Sequence, residues 1–306
     1  PIPDTFRGGE RDHAAEFDEI VRSAGPIAGF LVESMLSCAG QIPLPAGYLA
    51  AAFEHIRAAG GVCIADEVQV GFGRVGTHMW AFEEHGVIPD VVVLGKPMGN
   101  GHPMAAVFTT PEIAASFEEM EFFSTFGGNP VSCAIGMAVL DVIEEDGLMQ
   151  RAEALGERFM AGLRDLQSKH PIIGDVRGRG LFLGFEMVRD RDTLEAAAEE
   201  AQTLVGEMRE RGVLLSTDGP LHNVIKIKPP MVLNEADIDL TIDLLDEVLS
   251  NGFNGAVCDS THVTIRLRGP DADCIGRDSR EDSSSHRNLE SVASAQHAWQ
   301  DHEEDQ

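Results

Sequence analysis

The chain has 306 residues, a length that suits one to two domains, and 51 acidic against 23 basic residues give it a formal net charge of −28. Charge of that sign repels nucleic acid and anionic lipid and disfavours both as partners. No apolar run approaches the roughly 20 residues that span a bilayer. Only four residues are lysines, Lys96, Lys169, Lys226 and Lys228, on a surface otherwise built from Asp, Glu and Arg. Five scattered cysteines (Cys38, Cys63, Cys133, Cys258 and Cys274) form no Cys-x-x-Cys pair and no zinc spacing. They read as reduced thiols in a cytosolic protein without a metal. The opening Pro1-Ile2-Pro3-Asp4 has neither an initiator Met nor a charged-then-apolar leader, and is expected to be internal to a longer protein.

Between residues 27 and 108, short apolar runs alternate with longer amphipathic stretches, which predicts an α/β fold with parallel strands and helical crossovers. Strands are expected at 27–32, 62–65, 91–94 and 104–108 in a doubly wound sheet, with a helix at 45–59 begun by Pro45 and ended by Gly60-Gly61. After Asn129-Pro130 the spacing predicts a helix through Met137, Leu140 and Ile143, and a second one over 148–169. A Gly-punctuated strand pair at 174–187, a helix at 193–211, strands at 213–216 and 224–227, and a helix at 235–249 capped by Asn234 complete a small α+β unit. The expected organisation is part of a large domain over 1–128, a helical connection over 129–170, a small domain over 171–252, and a disordered acidic tail over 253–306, too poor in apolar residues to offset the entropy of ordering.

Two strand ends carry the chemistry. Val62-Cys-Ile-Ala-Asp66-Glu-Val68-Gln69 and Val91-Val-Val-Leu-Gly-Lys96 each place a polar group after an apolar strand, where open α/β sheets bind ligands. Taken singly, such an Asp more often caps a helix and such a Lys is more often solvated; at matching strand ends before a Gly-rich turn, the pair points to one crevice. The Gly-Lys-Pro turn is no phosphate-cradling P-loop, because the upstream Gly and the Ser or Thr after Lys are missing.

Strand-Asp66-Glu-x-x-x-Gly-x-Gly-Arg74 followed by Asp90-apolar run-Gly95-Lys96-x-x-Gly99-x-Gly101 resembles the signature of class III pyridoxal-phosphate aminotransferases, over residues 1 to about 250. The resemblance implies the pyridoxal-phosphate transferase fold type I, with an incomplete large domain of mainly parallel sheet and a small α+β domain. It implies pyridoxal phosphate held by Lys96 as a Schiff base, Asp66 on the protonated pyridine nitrogen so that the ring stays an electron sink, Gln69 on the phenolic oxygen, and Val68 on a ring face. Glu33 is placed by the same resemblance among the cofactor-binding residues. Phe123-Ser124-Thr125-Phe126-Gly127-Gly128-Asn129-Pro130 is also similar to the family and implies a homodimer with shared sites, in which Thr125 reaches the neighbouring subunit's cofactor phosphate.

Within that family, three segments depart from the general pattern. Cys38 stands where many members carry a gating glutamate. Lys226-Ile227-Lys228-Pro229-Pro230 replaces an Arg that forks a substrate carboxylate, and lysine, a poorer bidentate partner, is a competent point charge for phosphate. The segments 95–103, 6–8 and 215–220 are similar to the phospho-lyases of ethanolamine phosphate and 5-phosphohydroxy-lysine. That branch implies a small amine substrate carrying a vicinal phosphate, with Arg7, Lys226 and Lys228 as candidate phosphate contacts and Lys96 as general base. The alternatives are a class III transaminase using a keto-acid acceptor, and a fragment silent by itself because the family's N-terminal phosphate loop has no counterpart before Pro1.

Overall fold

The computed structural model describes residues 2–118 and 120–252. The reading of 253–306 as a disordered tail lies outside the described residues.

The chain begins with a short helix α1 (Thr5–Gly8), whose Asp4 carboxylate accepts from the Phe6 N–H, and with α2 (His13–Ala24), capped by Asp12. A first sheet follows, made of β1 (Gly29–Glu33), β4 (Val62–Asp66), β5 (Val91–Leu94) and β6 (Ala106–Thr109) in that spatial order. The small hairpin β2 (Met35–Leu36) and β3 (Ile42–Pro43) and the helix α3 (Tyr48–Ala58) lie between β1 and β4. The β1–β4 and β4–β5 pairings are parallel, as the apolar runs predicted, but β6 is antiparallel to β5. Only 11 residues separate β5 from β6, filled by a 3-10 turn at Lys96–Gly99 and further turns, too short for a helical crossover back to a parallel start. Among the described strands the spatial order follows the chain without reversal, so a doubly wound arrangement is not seen in them. Helix α3 starts at Tyr48 rather than at residue 45, because Gly47 takes a left-handed φ of 76° that no helix interior continues.

Helices α4 (Pro111–Glu118), α5 (Pro130–Glu145) and α6 (Leu148–Lys169) lead to a second sheet in the order β10 (Ser216–Asp218), β11 (Val224–Ile227), β8 (Phe182–Asp190), β7 (Ile173–Arg179), with β9 (Glu195–Ala196) on β8. Helix α7 (Ala198–Glu210) begins five residues later than the 193–211 expectation. The Asp190 carboxylate accepts from the Asp192 and Thr193 N–H groups, and Leu194 turns to a φ of 55°, making a loop that feeds β9 instead. Strand β10 lies later than the expected 213–216, because the Val213 N–H closes the end of α7 on the Met208 carbonyl. Helix α8 (Glu235–Asn251) has the predicted Asn234 cap, reinforced by Asp237 as a capping box.

Strand β8 is buried from Phe182 through Val188, and its period of two sorts its side chains. Leu183, Phe185 and Met187 join the largest core, with Phe159, Leu163 and Leu166 of α6, Leu204 of α7 and Leu245 of α8. Burying each such side chain contributes about 1.5–3 kcal/mol. The opposite face presents Phe182, Gly184 and Glu186 toward the rest of the chain. Gly184 is required there, since a Cβ would lie 2.9 Å from Cγ of Gln41. Arg74 of the Gly-x-Gly-Arg motif is half-buried and donates to the carbonyls of Leu181 and Pro229, at 3.0 and 2.9 Å. The motif arginine thereby ties the segment after β4 to the β7–β8 turn.

Candidate active site at the carboxyl ends of the first sheet

The register fixes the site. Glu33 pairs with Asp66 across β1–β4, and Asp66 with Val93 across β4–β5, so Lys96 stands three residues beyond the level of the Asp66 carboxylate on the neighbouring strand. The Glu67 N–H donates to the Val93 carbonyl at 2.9 Å and holds the two strand ends together. Asp66 Oδ1 accepts from the Val68 N–H at 2.9 Å, and Val68 leans against Gly95, where a Cβ would stand 3.3 Å from Val68 Cγ1. Asp66, Val68 and Lys96 are thus brought to one end of adjacent parallel strands.

Gln69 connects this end to the second sheet. Its Oε1 accepts from Lys228 Nζ at 2.5 Å, and its Nε2 donates to Ser37 Oγ at 2.5 Å and lies 3.6 Å from Cys38 Sγ. Ser37 Oγ in turn donates to Glu33 Oε1 at 2.7 Å, and the Ser37 N–H donates to Glu33 Oε2. Lys228 also sits 4.8 Å above the Phe182 ring. Burial pushes the Lys228 ammonium down to about 8, helped by the charge of Lys226 and opposed by Asp218, Cys38 and Glu33. Lys226 pairs with Asp218 at 3.0 Å, and Asp218 accepts from Gln41 Nε2 at 2.9 Å.

Of the residues singled out in the sequence, Glu33, Asp66, Val68, Gln69, Lys96, Lys226 and Lys228 therefore gather around the strand ends and the loop that follows β2. Arg7 does not join them. Its Nε donates to Glu186 at 2.5 Å and its Nη1 to the Leu194 carbonyl, and it lines a separate cavity of about 200 Å³ with Arg177 and Asn223. Thr125 is exposed in the loop before α5, and no hydrogen bond joins it to any of these residues among the described ones.

Several participants are not singled out by the sequence. Ser37 and Gln41 occupy a loop read mainly for Cys38, and Asp218 was part of a matched segment without a role. Glu67 is fully buried and accepts from Ser34 Oγ (2.5 Å) and from the N–H groups of Ala81 (2.8 Å) and Phe82 (3.0 Å), while burial raises its carboxyl. Strand alternation could have found it, because the residue after a crevice-facing Asp66 points the opposite way.

The set fits pyridoxal phosphate. Asp66 has an oxygen without a partner among the described residues, Lys96 has neither a hydrogen bond nor an ion pair among them, and apolar Val68, against Gly95, and the Gln69 amide follow Asp66 in the chain.

Residues 3–249 match the aminotransferase class-III family. An alanine–glyoxylate aminotransferase 2-like protein of Drosophila melanogaster is 54% identical over 216 residues, covering 70% of this chain and 44% of the relative. An ethanolamine-phosphate phospho-lyase homolog of Caenorhabditis elegans is 40% identical over 275 residues, covering 82% of this chain and 59% of the relative. The chain thus spans about half the length of the curated relatives it matches. A solved phospholyase from Arthrobacter in complex with phosphoethanolamine superposes with a TM-score of 0.77 at 39% identity, over 81% of this chain and 62% of that one. With the family signature across four-fifths of its length and the fold type I architecture of the solved phospholyase, the chain belongs to the class III aminotransferase family, whose members use pyridoxal phosphate.

Proposed function

We propose that the protein to which this chain belongs is a pyridoxal-phosphate lyase acting on a small amine with phosphate on the neighbouring carbon. The observation that carries this reading is the pair Lys226, in β11, and Lys228, two residues on and just past its end, both tied by hydrogen bonds into the group at the strand ends, Lys226 to Asp218 and Lys228 to Gln69. Two ammonium groups, offset by the one Asp218 carboxylate, can meet a phosphate as point charges. Resemblance of the segments around Lys96 and Ser216 to phospho-lyases, and the similarity to a phospholyase seen with phosphoethanolamine, support it.

When bound, pyridoxal phosphate supplies a ring that accepts the electron pair left at the carbon next to the amine. The Asp66 carboxylate would hold a proton at the ring nitrogen, Val68 would pack on a ring face, and the Gln69 Nε2–H would be offered to the phenolic oxygen. Glu33 braces that amide through Ser37. The Lys96 amine would hold the cofactor and, when free, would serve as the general base for the proton of the C–H next to the substrate amine. Phosphate on the neighbouring carbon would be the leaving group, and Lys226 and Lys228 would stabilise the charge it carries away. Water completes the balance, giving an aldehyde, ammonia and inorganic phosphate. Arg7 lines a cavity that neither lysine lines and is given no part in this step.

We further propose a homodimer in which Thr125 serves the neighbouring site. Exposed Phe122, Phe123, Phe126 and Val131 around it form apolar surface of the kind that interfaces cover. A second reading, a transaminase with a keto-acid acceptor, is favoured by the 54% identity to the aminotransferase 2-like relative. Incubation with phosphoethanolamine separates the two. The lyase releases inorganic phosphate with no keto acid present, whereas release that depends on a keto acid, or none beside turnover of alanine with glyoxylate, favours the transaminase.

A further inference from the structure

We infer that Lys228 is a positioning residue for the Gln69 amide, acting through a one-way hydrogen-bond chain from Lys228 through Gln69 and Ser37 to Glu33. The inference rests on the proposed site only for what the amide faces; the chain itself is a property of this protein's own side chains.

A glutamine amide can present either its oxygen or its NH2 to a neighbour, and a half-turn exchanges them. Here both ends of the chain select the same orientation. A protonated lysine has donors and no acceptor, so Lys228 Nζ, 2.5 Å away, requires the oxygen of Gln69. Ser37 has one hydroxyl proton, and it is given to Glu33 Oε1 at 2.7 Å, so toward Gln69 it can only accept, from Nε2 at 2.5 Å. Glu33 is held in turn by the Ser37 N–H. An ammonium at one end and a carboxylate at the other give every bond in the series the same direction, and charge-assisted bonds at both ends are its strongest links. The consequence is a Gln69 that offers an N–H, never a carbonyl, to whatever binds beside Asp66. Such a site prefers an acceptor, and an anionic one above a neutral one.

The second observation is where Lys228 stands. The flat face of Phe182, 4.8 Å away, and the half-buried position on the continuation of β11 leave the ammonium few other partners. The charged and titratable groups that face it are Lys226 from β11, Asp218 from β10, Cys38 from the loop after β2, and Glu33 from β1. With burial they set its titration near 8, so the donor end of the chain weakens just above neutral pH. Neutral Lys228 can accept, and the lock on the amide is then released.

The test uses the whole chain labelled with 15N-glutamine, without cofactor, and follows the side-chain NH2 signals of Gln69, assigned by their loss in Gln69→Met. The expected result is a shift of these signals with a midpoint near pH 8. The shift is abolished in Lys228→Met, kept at every pH up to 10 in its low-pH form in Lys228→Arg, and displaced in Ser37→Ala. With pyridoxal phosphate bound, the visible band of Lys228→Met should titrate at a pH different from that of wild type, and Lys228→Arg should restore the wild-type value. Gln69 signals indifferent to pH and to Lys228→Met overturn the inference, whatever the protein's activity. Signals that respond as expected while no cofactor band forms support the chain and count against the proposed site instead.

Discussion

Removing the carboxylate of Glu67 tests how the strand ends are held. In Glu67→Ala the Ser34 hydroxyl and the Ala81 and Phe82 N–H groups all lose their acceptor, and Ser34 and Ala81 are about 1% exposed. Each buried group left unpaired costs about 1–3 kcal/mol, with the half-buried Phe82 amide at the low end because water can reach it. The loss is then about 3–7 kcal/mol, a large part of the ~5–15 kcal/mol that stabilises a typical domain. Glu67→Gln keeps one carbonyl oxygen and exchanges the other for a donor, so it should lose about 1–3 kcal/mol. Urea denaturation followed by circular dichroism reads both losses as shifts in midpoint at unchanged slope. The sign of the pH dependence follows from the raised carboxyl. A group whose folded pKa lies above its ordinary 4.5 favours the folded state fully below 4.5 and loses that contribution as pH rises through the raised value. The advantage of wild type over Glu67→Gln is therefore widest at pH 4.5 and below, and narrows above it. A Glu67→Ala protein within 1 kcal/mol of wild type by this assay, against the several expected, or an advantage that grows with pH, refutes this account of the strand ends.

Gly156→Ala places a methyl 2.2 Å from the Gly180 carbonyl, with backbone on both sides, and should destabilise the chain by about 1–3 kcal/mol or more, visible as a lower thermal midpoint. Asn234→Ala removes the cap of α8 and half of its capping box, for about 1 kcal/mol by the same measurement. Lys226→Ala leaves Asp218 without its ion pair and removes one of the two charges proposed for the phosphate; phosphate release from phosphoethanolamine should fall at least 10-fold, mostly in KM, while Arg7→Ala should leave KM within about 3-fold provided the protein stays folded.

The sequence made the periodic elements legible because each buries one face. The 148–169 helix, the 91–94 strand and the Asn234 cap fall where apolar spacing and capping chemistry put them. What misled was local backbone chemistry that periodicity does not register. Gly47, with a positive φ, moved the start of α3, the Asp190 turn replaced the first turn of α7 with a strand, and a short connection reversed β6. Asp66 and Lys96 were readable from their strand-end spacing, whereas the group around Ser37, Gln41 and Asp218 forms between segments more than 170 residues apart and leaves no local pattern. The Arg7 ion pair leaves no local pattern for a related reason. Its partner, Glu186, lies 179 residues away on a strand whose alternation turns that carboxylate toward α1.

Borohydride reduction after incubation with excess pyridoxal phosphate, followed by peptide mass mapping, tests the central claim most directly, since the chain offers only four lysines to label. The account predicts the pyridoxyl mass on Lys96, lost in Lys96→Ala and diminished in Asp66→Asn. Label confined to Lys169, Lys226 or Lys228, or spread evenly over all four, contradicts it.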